Sequence, residues 1–263
     1  MNRKKLIRGL LCAVALALST TAANAALIQT ALGVVIDSSS SITPNNFDVQ
    51  KDAYASVFGD NDVVKADGSV VVNIVQFSNS QVLEQTAIRI NNETDRQTVI
   101  ASINAMSKMG GTTNIGGGIA FSQENMDLYL AGIAGDQFEA EFRALIDVST
   151  DGAQLPPGGG TDPTDATLDA IAAGYMQVNC LGIGKNADCD WNRDVGDYDF
   201  MATTFADVED TLREKLEFEL TAPCVPGSPG CGGGPGVPEP SSLAILGLGL
   251  AGLGYNSRRK RKA

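Results

Sequence analysis

Between residues 27 and 220 the chain alternates short apolar runs with segments of helical spacing. Leu27 to Ile36 is almost wholly apolar, as expected of a strand buried on both faces. Thr43-Pro44 then opens a helix, with Thr43 as N-cap and Pro44 at the first position. Phe47, Ala53, Tyr54 and Val57 supply its apolar face, and Gly59 stops it. Val70 to Phe77 is a second strand, rich in β-branched residues. Val82 to Ile90 is a third, close enough to pair as a hairpin across Ser78-Asn79-Ser80. Thr94 to Met106 has helical spacing at Val99, Ile100 and Ile103, and a glycine-rich loop from Gly110 to Gly118 runs into another helix. Arg143 to Thr150 reads as a strand ended by Asp151-Gly152, and residues 153–162 as a Pro/Gly loop. A helix over Asp165 to Tyr175, a strand over Gln177 to Ile183 and an amphipathic helix over Ala206 to Leu220 complete the pattern. Strands alternating with helices predict an α/β fold: a doubly wound, mostly parallel central sheet with helices on both faces.

The two ends follow other rules. Arg3, Lys4, Lys5 and Arg8 precede an apolar run from Gly9 to Leu18, and Ala23-Asn24-Ala25 is a small-x-small cleavage signature. Residues 1–25 therefore read as a secretory signal peptide cut after Ala25. At the other end Pro238-Glu239-Pro240 is followed by apolar Leu243 to Tyr255 and basic Arg258-Arg259-Lys260-Arg261-Lys262. A helix over those apolar residues would be about 20 Å long, short of the ~30 Å hydrocarbon core. Its basic end would stay cytoplasmic and leave the main domain outside. This order resembles the PEP-CTERM sorting signal of Gram-negative bacteria, which a membrane exosortase handles. The resemblance implies transient membrane insertion, exosortase and secretion machinery as partners, and a surface or extracellular product after C-terminal processing. The expected organisation is a signal peptide (1–25), a domain (26–220), a Pro/Gly-rich linker (221–237) and a sorting signal (238–263).

Removing both ends changes the charge. The start holds four Lys/Arg and the tail five plus Glu239, so the remainder carries 10 Lys/Arg against 30 Asp/Glu, a net charge of −20. Such a domain repels nucleic acid and anionic membrane surface. Four cysteines remain: Cys180, Cys189, Cys224 and Cys231. An even count in an exported chain favours disulfides, with three possible connectivities. The local pairs Cys180–Cys189 and Cys224–Cys231 are the expected ones, and no Cys-x-x-Cys spacing suggests a thiolate metal site. Histidine is absent, which removes the usual general base of hydrolases and the commonest zinc ligand.

The chemistry-bearing stretch is Asp37-Ser38-Ser39-Ser40-Ser41, on the loop just past the first strand. Asp37, Ser39 and Ser41 present hard oxygens that suit a hard divalent cation, at the sheet edge where α/β folds bind ligands. Ser and Asp also populate turns and N-caps, so this stretch does not decide alone. Two further pieces join it. Thr113 lies in the glycine loop leading into a helix, and Asp151 ends a later strand before Gly152. The glycine loop is no phosphate loop, because no Gly-Lys-Ser/Thr follows.

Asp-x-Ser-x-Ser, a later Thr and a later Asp-Gly at a strand end resemble the von Willebrand factor type A (vWA) domain and its metal-ion-dependent adhesion site. The resemblance spans roughly residues 27–220 and implies a Rossmann-like sheet with Mg²⁺, or Mn²⁺ or Ca²⁺, at its carboxyl edge. Ser39, Ser41 and Thr113 would ligate the ion, with Asp37 and Asp151 binding directly or through waters. Three neutral hydroxyls and at most two carboxylates would leave the ion electrophilic, so that a partner's Asp or Glu could replace a water. Gly116-Gly117-Gly118 departs from the family pattern, where this helix start has more side chain. The loop from Asp188 through Asp194, with Asp197 and Asp199, has oxygens at EF-hand-like intervals. Arg193 replaces the turn glycine, so it reads as an acidic solvated loop pinned by a disulfide, with Trp191 a buried ring. The expected function is an exported, surface-sorted binding or adhesion protein whose metal takes an acidic group of a protein or matrix partner. The alternatives are a structural matrix or biofilm protein with a purely stabilising metal and, behind it, a metal-dependent hydrolase. An enzyme is not expected, since no positioned base is evident beside the five residues.

Overall fold

The computed structural model describes residues 25–154, 160–195 and 199–221. Residues 1–24 of the expected signal peptide, residues 222–237 of the expected linker, Pro238-Glu239-Pro240, Cys224 and Cys231 lie outside the described residues. Six strands form one sheet: β1 (Ile28–Asp37), β2 (Val70–Phe77), β3 (Gln81–Arg89), β4 (Phe138–Thr150), β5 (Gln177–Ile183) and β6 (Asp199–Ala202). Their order is β3-β2-β1-β4-β5-β6, and only the β2–β3 pair is antiparallel. The helices are α1 (Pro44–Gly59), α2 (Glu93–Ala105), α3 (Ile115–Leu130), α4 (Pro163–Ala172) and α5 (Val208–Thr221). The doubly wound, mostly parallel α/β sheet expected from the alternation is the fold observed.

Strand periodicity divides the core. Leu32, Val34 and Ile36 of β1 pack with α1, α2 and α5 through Phe47, Val57, Val99, Ile103, Leu212 and Leu216. Ala31 and Val35 face the other way, toward Ile115, Ile119 and Met126 of α3 and Ala166 and Ala170 of α4. Both faces being covered explains why β1 carries a continuous apolar run. On the first face a charged group is buried as well. Lys215 of α5 donates to Asp147 of β4 at 2.6 Å and to Glu219, with all three side chains fully buried. Asn179 of β5 donates to the same Glu219 carboxylate at 2.7 Å. Desolvation works to lower Lys215, but the two carboxylates outweigh it and raise it. Burial also pushes Glu219 up, to about 7.

Two elements depart from expectation. β4 begins at Phe138 rather than Arg143; Glu139 and Glu141 alternate with Phe138 and Phe142 and break the apolar run that marked the strand. The acidic stretch after Cys189 is not a solvated loop throughout. Trp191 and Asn192 are buried in a 3-10 turn, and Asp199–Ala202 returns as β6 against β5. Asn192 explains the return: its amide donates to Val178 O of β5 and to the Asp199 carboxylate of β6. The expected Cys180–Cys189 disulfide is present and ties this segment to β5.

Candidate metal centre

The strand order turns at β1, whose neighbours β2 and β4 lead off in opposite directions. A crevice at such a switch point, beyond the carboxyl ends of the strands, is the usual binding place in this architecture. Asp37 ends β1 and Thr150 ends β4, each one residue past the registered pair Ile36 and Ser149. Thr150 Oγ1 donates to Asp37 Oδ2 at 2.7 Å, and the Ser39 amide donates to Asp37 Oδ1 at 2.7 Å. Asp37 is fully buried, and desolvation pushes its carboxyl up to about 6, against the hydrogen bonds from Thr150 and Ser39. The nearby Asp151 charge adds to the rise.

The hydroxyls converge on the second carboxylate. Ser39 Oγ lies 2.9 Å from Ser41 Oγ, and Ser41 Oγ donates to Asp151 Oδ1 at 2.5 Å. Desolvation raises Asp151 as well, with the Ser41 bond working against it. Of the five candidates, these bonds bring Ser39, Ser41 and Asp151 into one chain, with Asp37 tied to it through the Ser39 backbone.

Thr113 reaches the same edge by a different route. Gly110 and Gly111 have φ of +78° and +97°, which glycine alone adopts without strain. That turn lays the loop along Ser38–Ser40: Gly110 N donates to Ser38 O, Ser40 N to Gly111 O, and Gly111 N to Ser40 Oγ. The Met109 amide donates to Ser38 Oγ, and Asn114 N to Ser78 O at the start of the β2–β3 turn. Thr113 is buried within this loop while Thr112 is exposed. Asn114 caps α3 by accepting from Gly117 N, and Gln154 accepts from Ile115 N.

The triple glycine has a steric reason. A Cβ on Gly116 would lie 2.2 Å from Thr161 O, and one on Gly118 would lie 2.7 Å from Val35 of β1. The start of α3 is seated too closely on the sheet and on the 160–162 backbone for side chains there.

Lys108 completes the surroundings. Its Nζ donates to Ser38 O at 2.8 Å and Ser39 O at 2.7 Å. Desolvation lowers its ammonium, and the charges of Asp37 and Asp151 pull it back up. Lys108, Thr150 and Gln154 join the site through partners distant in the chain, which no local spacing records. The only available signal was that each neighbours a motif residue in sequence or loop.

The donor set fits a hard divalent ion. Hydroxyl and carboxylate oxygens gather at one edge, and two desolvated carboxylates there want a counter-charge. A second group of potential ligands, the Cys180 and Cys189 sulfurs with Asp199, is closed by the disulfide. The 188–199 loop has no EF-hand frame among its described residues, since Asp188 Oδ1 accepts from Asp190 N and Asp199 from Asn192.

Comparison with known proteins follows the same lines. The fold is similar to proximal thread matrix protein 1 from the mussel byssus, at 22% identity and TM-score 0.58, over 74% of this chain and 48% of that one. Another structure of that mussel protein, at 21% identity, TM-score 0.57 and coverage of 73% and 48%, has a zinc-occupied MIDAS motif, a metal-ion-dependent adhesion site. The PilB minor pilin from Streptococcus sanguinis is similar at 16% identity and TM-score 0.54, over 74% of this chain and 62% of that one. The chain thus spans about half the length of the mussel protein. No curated protein sequence matches it. Residues 236–260 match the PEP-CTERM protein-sorting motif. Residues 32–213 match the von Willebrand factor type A domain model, and the chain belongs to that family.

Proposed function

We propose that this is an exported, surface-sorted binding module that holds a divalent ion, Mg²⁺ or Mn²⁺, on Asp37, Ser39, Ser41, Thr113 and Asp151. The bound ion supplies a Lewis-acidic position for an Asp or Glu side chain of a protein or matrix partner. The observation that carries this reading is the pair of desolvated carboxylates, Asp37 and Asp151, linked through Ser39 and Ser41 at the switch point of the sheet. The mussel protein's zinc-occupied motif supports a divalent metal in this fold. The sorting motif supports exosortase processing and a surface location. Among the described residues no helix is long and apolar enough to cross a membrane. The 37–41 and 108–113 loops are joined by protein hydrogen bonds, which favours a binding role for the ion over a purely stabilising one. An enzymatic role is not proposed.

Calorimetric titration with Mg²⁺ and Mn²⁺ tests the reading. The parent protein should bind one ion, and Asp37→Ala should weaken binding at least tenfold. Retention on an acidic peptide matrix should follow the metal and vanish in EDTA. Equal affinity in parent and variant would mean that these residues do not form the site.

A further inference from the structure

Lys108 stands outside the donor set but is fixed against it. Its ammonium holds the carbonyls of Ser38 and Ser39, the two residues that follow Asp37. The charges of Asp37 and Asp151 act on Lys108, and that of Lys108 acts on Asp151. Four other hydrogen bonds already join residues 109–111 to Ser38 and Ser40, so the loops do not need a lysine to meet. An uncharged donor would serve the same two carbonyls. What lysine adds is a positive charge that cannot swing away without breaking both of its bonds.

We propose that Lys108 is the resident counter-cation of the metal centre: it compensates Asp37 and Asp151 while no divalent ion is present, and opposes that ion once it enters. The opposing half rests on the metal reading above. With two ionised carboxylates and a doubly charged ion the centre alone is neutral. Lys108 makes it net positive, so the loaded site attracts an anionic partner group more strongly than a neutral one would. The same charge weakens the hold on the ion.

Two substitutions separate charge from hydrogen bonding: Lys108→Gln keeps a donor for the carbonyls, and Lys108→Arg keeps the charge. In Mn²⁺ calorimetry Lys108→Gln should bind about tenfold more tightly than the parent, equivalent to ~1.4 kcal/mol, and Lys108→Arg should match the parent. Unchanged or weaker Mn²⁺ binding in Lys108→Gln would overturn the proposal. A double-mutant cycle of Lys108→Gln with Asp151→Asn, by urea unfolding in EDTA, reads the compensating half without any metal. Non-additive effects are expected, and strict additivity would overturn it. A parent that takes up no Mn²⁺ would remove the metal reading and the opposing half with it, leaving the EDTA cycle to decide the rest.

Discussion

Asp37 concentrates the chemistry of the molecule in one side chain. Its carboxyl rests near 6 in the fold against an ordinary value of 3.8. A carboxyl raised on folding stabilises the native state while protonated, and that contribution disappears as pH climbs from about 4 through about 6. The size is on the order of 3 kcal/mol. In EDTA the unfolding temperature should therefore fall between pH 4 and 6.5, and Asp37→Asn should remove that part of the fall. A slope identical in parent and variant would show that Asp37 is not the titrating group. Asp37→Ala differs from Asp37→Asn because it strands the buried Ser39 amide and leaves the Thr150 hydroxyl only its longer bonds with Gly152. Ser39 is also less free than its place in a serine run implies: it is 1% exposed and bonded to Ser41. Ser39→Ala should cost about 1 kcal/mol in urea unfolding besides weakening Mn²⁺ binding. The five candidate donors were readable because their residue types and order carry the pattern. Lys108 and Thr150 were not, because Thr150 meets Asp37 across 113 positions and no local spacing records that.

At the scale of elements, burial on both faces made the strands legible. β1, β2 and β5 are nearly continuous apolar runs, and the pattern placed them within a residue or two. The same rule misplaced the start of β4 and hid β6, because acidic residues sit at the beginning of β4 and in the edge strand β6. Nor does any spacing announce the Lys215 cluster, whose three charges come from β4 and α5 and meet only in the folded core. Lys215→Met should cost about 3–5 kcal/mol in urea unfolding, because it leaves two carboxylates buried without a cation. Replacing Asp147 and Glu219 with neutral residues in the same chain should recover most of that loss. The triple glycine gives a second test. Gly116→Ala drives a methyl group into Thr161 O and should cost about 1–3 kcal/mol. The displaced start of α3 should weaken Mn²⁺ binding too, because Thr113 lies two residues before Ile115. A Gly116→Ala protein with parental stability would show that the 160–162 backbone yields freely.

For the whole molecule, the PEP-CTERM motif at residues 236–260 bears on how the protein is processed. Protein from its native host is expected to lose the residues after the Pro238-Glu239-Pro240 region. Intact-mass analysis still finding Arg258 through Ala263 attached would contradict this. The way α5 is fastened then gains a mechanical meaning. Arg143 of β4 donates to Leu220 O at 2.8 Å, and Arg143 pairs in register with Thr30, at the beginning of β1. Asp37 lies seven residues further along that strand, ~23 Å away at about 3.3 Å per residue. The chain therefore leaves the domain at the pole opposite its site. A pull applied between the end of α5 and a partner held at the site would act along the sheet. That tension would enter β4 in its middle and later part, through Arg143 and Asp147, and leave past its carboxyl end, through Asp151. It would run lengthwise down a strand flanked by parallel neighbours on both sides, so the hydrogen bonds of β1 and β5 would resist it together in shear instead of parting one at a time.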